Sequence, residues 1–168
     1  MFSLNAYAQA FVSASEEKGV ENFLEFKEVV HIFESIPKME NALLFKRDRF
    51  EKIRETFESA FSPLVYHFLD IIIEDGHVDQ LGEIEKLIMD TLIAEDLYSF
   101  CMVESSEPLT ASFKSELEGK IEKFVNTPFE IHYKINESIG SGIKVRVNDD
   151  WFDLSIQGRL DRLMAEVS

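Results

Sequence analysis

Residues 128–136 read PFEIHYKIN, and the alternation within them decides the class of fold. Phe129, Ile131, Tyr133 and Ile135 point one way, and Glu130, His132 and Lys134 the other. That two-residue period is the mark of a half-buried strand. Downstream, IKVRV (143–147) alternates as well, and Asn148-Asp149 makes a hairpin turn into WFDL (151–154). Ser155 can cap a last helix with Ile156, Leu160, Leu163 and Val167 on one face. Upstream, Thr110 can cap a helix that runs to Phe124. The C-terminal part therefore reads as a small α+β domain.

The rest of the chain is written in helical periods. Leu4, Tyr7, Ala8, Phe11 and Val12 form one apolar helix face, and Ala6, Ala10 and Ala14 a second. No side chain before Glu16 is charged. A helix apolar on two sides is either central in a bundle or shared with another chain. Further helices are expected over 20–35, 39–44, 47–57 and 78–98, with Pro37 breaking the first of these. Ser62-Pro63 starts another as cap and first residue, and Gly76 ends it. VESSEPLT (103–110) reads as a polar link. The expected architecture is mainly α: a six-helix bundle over 1–104, followed by an α+β domain over 105–168.

With 168 residues, 45% of them apolar, the chain can bury a real core. Its net charge of −15 opposes nucleic acid and loose adsorption on anionic lipid, and favours solubility or a basic protein partner. The single cysteine, Cys101, permits no internal disulfide and reads as a small buried residue in a reducing compartment. No apolar run is long enough to span a membrane, and the opening stretch lacks the basic start of a signal peptide. These features predict a cytoplasmic protein whose membrane link runs through partners.

Chemistry is sparse. There is no GxxxxGK[ST] and no GxGxxG, so nucleotide binding is not expected. Two Glu-x-x-His matches, Glu28 to His31 and Glu74 to His77, are the material of a di-iron site in a helical bundle. Gly76 interrupts the second pair, and chance matches are easy among 32 acidic residues. His67 and His132 read as ordinary solvated side chains. Trp151 beside Phe152 reads either as a binding anchor or as aromatics closing a small core. No cofactor, metal or catalytic residue is assigned.

The stretch 136–163, NESIGSGIKVRVNDDWFDLSIQGRLDRL, resembles the C-terminal signature of the delta subunit of F-type ATP synthase, the family of the mitochondrial oligomycin-sensitivity-conferring subunit. Ser138, Gly142, Ile143, Arg146, Asp149, Asp153, Ser155, Ile156, Gly158, Arg159 and Leu160 fall in register with that family pattern. NAYAQAF (5–11) resembles the family's opening helix, and 103–110 its link between domains. Departures stand at 139–142, where IGSG replaces Leu-Ile-Gly-Gly, and at 136–137, where Asn-Glu replaces Asp-Pro. Gln157 stands where a basic residue is common, and EDGH (74–77) replaces E-N-G-R.

The resemblance implies a non-catalytic stator subunit that links the catalytic head to the peripheral stalk, at the cytoplasmic face of the bacterial inner membrane. It implies that the N-terminal bundle binds N-terminal helices of the alpha subunits and the C-terminal domain binds the b subunits. In the family the alpha helix docks on the first and fifth helices. Carried onto this chain, those positions are Tyr7, Ala10, Phe11, Ala14, Phe68, Ile71 and Ile72. In the C-terminal domain the signature positions are Gly142, Arg146, Asp153, Ser155, Gly158, Arg159 and Leu160. These serve either the stalk contact or the domain's own packing. Alternatives from other classes are a generic helical adaptor and a di-iron bundle protein.

Overall fold

The computed structural model describes residues 3–36 and 55–153. The chain divides into two compact units, Met1–Glu95 and Asp96–Ser168. In the first unit, α1 spans Leu4–Ser15 and a 3-10 turn, Glu16–Lys18, leads into α2, Gly19–Ser35. A helical segment covers 55–60, α3 spans Pro63–Glu74, and α4 spans Leu81–Ala94 after a 3-10 turn at Val78–Gln80. The second unit runs β1 (Ser99–Ser105), α5 (Ala111–Phe124), β2 (Phe129–Ile135), a 3-10 turn (Glu137–Ile139), β3 (Ile143–Val147) and β4 (Asp150–Asp153).

Ring packing organises the first unit. Phe11 of α1, Phe26 of α2 and Phe68 of α3 meet with centroids 4.7, 5.2 and 5.6 Å apart. Around them Phe23, Leu69, Ile72, Ile84, Ile88 and Leu92 are fully buried. Helix α4 packs against both α1 and α2, so its Ile84, Ile88 and Leu92 form the floor of the core. Tyr7 closes the open end of α1. Its ring stands edge-on to Phe68 and His77, and its hydroxyl donates to Asp75 just beyond α3.

Helix ends follow the local chemistry, with one exception. Ser3 caps α1 by accepting from the Ala6 N–H at 3.3 Å, and Thr110 caps α5 by accepting from Phe113 at 3.3 Å. Pro63 opens α3 as expected, but the Ser62 side chain makes no cap bond. Instead its hydroxyl donates to Asn22 at 3.3 Å and its N–H donates to Glu25 at 2.9 Å, tying the start of α3 to α2. Gly76 ends α3 at φ 77, a left-handed conformation that glycine takes without strain.

Three expectations change. Among the described residues the first unit holds four helices and the 55–60 segment, not a six-helix bundle. The expected helix at 39–44 lies outside the described residues, and that at 47–57 enters them only at 55. Next, the long helix expected over 78–98 is shorter. It starts as a 3-10 turn and stops at Ala94, because Asp96 turns left-handed at φ 55. Finally, residues 99–105 are a strand, so the link expected from 103 begins inside an element. Ser99, Cys101, Val103 and Ser105 are its buried positions, and the strand belongs to the second compact unit, which starts at Asp96.

That strand is the axis of the second unit. The sheet order is β2-β1-β3-β4, with β1 parallel to β2 and antiparallel to β3. Helix α5 is the crossover that a parallel β1–β2 pair requires. Cys101 and Val103 of β1, Leu117 and Ile121 of α5, and Ile143 and Val145 of β3 form the core. Phe129, Ile131 and Tyr133 of β2 pack against it, on the face their alternation predicts. The Asn148-Asp149 turn joins β3 to β4, with Asn148 at φ 51.

Replacing Phe26 by Ala removes a fully buried ring from the aromatic cluster and will lower stability by about 3–5 kcal/mol, read from the urea midpoint by circular dichroism. Burial, with the Asp75 acceptor and its charge, pushes the Tyr7 hydroxyl up from 10.0 to about 12. The folded state therefore holds this proton longer than the unfolded state, so the stability it contributes is fully present below pH 10 and is lost as pH rises towards 12. Tyr7→Phe will delete one late step from the tyrosinate absorbance titration and flatten the loss of stability over that interval.

Candidate functional site

The seven positions carried onto the first unit divide by burial. Tyr7, Phe11, Phe68 and Ile72 are core residues. Ala10, Ala14 and Ile71 are exposed, Ile71 by 49%. The seam between α1 and α3 thus has an inner layer of rings and an outer layer of small and branched apolar side chains. Gln9 and Ser13 border it on α1 and His67 on α3, all exposed. The His67 ring nitrogen Nδ1 lies 2.6 Å from the Pro63 carbonyl, within its own helix. Along α1 no charged side chain interrupts the outer face.

Two potentially reactive groups are held in their neutral forms well above pH 7. The Tyr7 hydroxyl is held neutral, and the Cys101 thiol in the other unit is pushed up to about 11 by burial. The two Glu-x-x-His pairs do not converge. Glu28 and His31 are exposed on α2, while His77 follows the end of α3 and pairs through Nδ1 with Gln80 at 2.6 Å. Among the described residues no group of three or more His, Cys, Asp or Glu side chains could hold a metal ion.

In the second unit, Arg146 sits on the sheet face opposite α5. Its guanidinium lies 5.8 Å from the Phe100 ring and 5.5 Å from the Trp151 ring, a stacked arrangement in which the aromatic faces attract the cation. Its Nε atom is buried and has no hydrogen-bond partner among the described residues. Trp151 remains 54% exposed. Beside it, the His132 ring lies tilted against Phe100 at 5.0 Å and reaches Glu130 at 3.3 Å. Trp151 is thus the rim of a polar face, and Phe152 turns to the other side, against Phe124. Sequence reasoning missed the Phe100–Arg146–Trp151 stack, though a two-residue turn at 148–149 sets Arg146 opposite Trp151 by register alone.

Of the signature positions, Gly142 precedes β3 at φ 101, and Asp153 ends β4 opposite Lys144. Ser155, Gly158, Arg159 and Leu160 lie outside the described residues.

Comparison with known proteins bears on the whole chain. The family model described as ATP synthase delta (OSCP) subunit matches residues 4–167. ATP synthase subunit delta of Shouchella clausii is 30% identical over 173 aligned positions, which cover 95% of this chain and 92% of that protein. The subunit of the same name from Clostridium perfringens is 30% identical over 92% of this chain and 90% of its own. A chain in the cryo-EM structure of the Toxoplasma gondii mitochondrial ATP synthase hexamer superposes with a TM-score of 0.64, covering 99% of this chain and 98% of that one. At 17% identity that likeness speaks for the fold. The chain belongs to the ATP synthase delta (OSCP) subunit family and is a non-catalytic stator subunit of the peripheral stalk.

Proposed function

We propose that the first unit receives the N-terminal helix of an alpha subunit on the outer layer of the α1–α3 seam. The observation that carries this is that Ala10, Ala14 and Ile71 are exposed on the same two helices that bury Tyr7, Phe11, Phe68 and Ile72. An amphipathic helix seats its apolar side where small side chains let it approach and a branched one gives it grip. The rigid ring layer beneath lowers the cost of docking, because little has to be ordered. A charge on this face would have to be desolvated by the incoming helix, and α1 offers none.

The second unit, in this reading, holds the b subunits of the peripheral stalk through the β3–β4 hairpin and the segment that follows it. Arg146 and Trp151 are the stacked, partly exposed pair that suits a hot-spot contact. The chain then works at the cytoplasmic face of the bacterial inner membrane and touches that membrane only through the complex. Among the described residues no helix is long and apolar enough to cross a membrane. Its task is mechanical, holding the head against the turning rotor.

Calorimetric titration of the full chain with a synthetic peptide of the cognate alpha N-terminus tests the first contact. Saturable one-to-one binding is expected. Ala10→Asp or Ile71→Asp should each weaken it at least tenfold, a loss of about 1.4 kcal/mol or more. Leu24→Asp, at an exposed position on α2, should leave it unchanged. Equal binding by all variants would move the site off this seam, and no binding by the folded wild type would refute the assignment.

A further inference from the structure

The sheet of the second unit has another face, turned away from α5, whose residues line up in rows across the strands. Register sets His132 of β2, Met102 of β1, Arg146 of β3 and Trp151 of β4 side by side across all four strands. Two residues along β1 in one direction stands Phe100, opposite Glu130. Two residues in the other direction stands Glu104, between Lys134 and Lys144. Asn148 fixes Phe100 in place: its N–H donates to the Phe100 carbonyl at 2.8 Å, and its side-chain oxygen accepts from the Phe100 N–H at 2.9 Å. Backbone pairing therefore sets both rings that flank the Arg146 guanidinium, Phe100 through Asn148 and Trp151 through the hairpin.

What this row lacks is an acceptor. Arg146 is partly buried and makes no hydrogen bond or ion pair among the described residues. Two carboxylates stand near it in register, and both are engaged elsewhere. Glu104 meets Lys134 at 3.8 Å through one oxygen and accepts from Asn136 at 2.9 Å through the other. Glu130 meets His132 at 3.3 Å through one oxygen and accepts from the Tyr98 hydroxyl at 3.4 Å through the other. A cation drawn partly out of water with no anion beside it is costly to hold, and the fold holds this one in a fixed aromatic frame.

We propose that Arg146 is a carboxylate-binding site and takes an Asp or Glu side chain of a stalk helix laid across this face; this rests on the stalk reading of the second unit and names the chemistry of its contact. Three features select that occupant. A guanidinium flanked by rings still offers its planar fork of N–H groups, which a carboxylate fills with two parallel bonds. One negative charge suits the face, whereas Glu104, Glu130 and a chain of net charge −15 repel a polyanion. Met102, partly buried, and Trp151, exposed, put apolar surface on either side of Arg146, so the carboxylate arrives with aliphatic neighbours one helical turn away. A four-stranded face about 14 Å wide between its outer strands also accepts a helix of about 10 Å.

Double-mutant cycles between the full chain and a soluble fragment of the cognate b subunits test this. In the fragment, each Asp and Glu is replaced in turn by Asn or Gln. Arg146→Gln is expected to weaken binding at least tenfold, with the amide signals of β1 and β2 in place to show that the fold is kept. Arg146→Lys retains the charge without the planar fork and should recover only part of that loss. Lys120→Gln removes a cation from α5, across the sheet, and should change nothing. One acid of the fragment should be non-additive with Arg146: replacing both should weaken binding no more than replacing either. If the fragment binds Arg146→Gln as it binds the wild type, or if every acid is additive with Arg146, the carboxylate pairing is overturned while the stalk reading stands. If the folded wild type binds no fragment, the stalk reading fails and the pairing fails with it.

Discussion

The contact of Phe11, Phe26 and Phe68 is the constraint on which the first unit rests. It joins one ring from each of α1, α2 and α3 at centroid distances of 4.7 to 5.6 Å. Helix α1 gains little from its own ends. Its first turn has no acid and its last turn no base to meet the helix dipole, and one serine hydroxyl caps it. A 12-residue helix without such support is marginal on its own in water. It exists because its inner side is packed on α4 and sealed by the rings. That packing explains the apolar inner side. It does not explain the missing charge on the outer side, where a lysine or glutamate would cost the core nothing. A surface kept free of charge without structural need is what a desolvated contact with another chain demands.

How much was legible in the sequence depended on whether a pattern had one physical meaning. Residues 129–135 alternate apolar with charged, the mark of a strand with one wet face; Phe129, Ile131 and Tyr133 do pack on the core, while Ile135 at the strand's end is 55% exposed. Residues 99–105 were misread because β1 lies between two neighbours at the centre of the sheet. Cys101, Met102 and Val103 are all at least partly buried, so the polar half of the alternation is absent, and the short apolar run between the expected helix and the expected link carries no strand signature. The stop signal was Asp96, whose left-handed conformation no pattern of apolar residues reveals. Ser62 shows a subtler failure: the right residue type stands at the helix start, yet Asn22 competes for its hydroxyl from 40 residues away.

The candidate site was legible in position but not in depth. Family resemblance marks positions that matter without saying whether they matter for packing or for contact. Tyr7 and Ala10 are one helical turn apart and were carried over together, but one is core and the other surface. Burial separates them because it depends on α3 and α4, which lie far along the chain. The same limit hid the Arg146 stack, whose third member, Phe100, comes from the strand that went unread.

A stator subunit has no reaction to speed up, so its physical requirement is resistance to load. Both proposed contact surfaces meet that requirement by resting on packed layers: the seam on aromatic rings in contact, the hairpin on a sheet whose central strand is buried on its core side. Neither contact has to be tight alone. When both are carried by one chain, loss of one partner leaves it held nearby by the other, and re-binding becomes a local event at high effective concentration. Stiff, preorganised faces are the economical choice under that arrangement, since a side chain that must be ordered at each re-binding costs about 0.5–1.5 kcal/mol. The part-buried Tyr7–Asp75 bond and the ring cluster of Phe11 and Phe68 have that ordering done at folding, before any partner arrives.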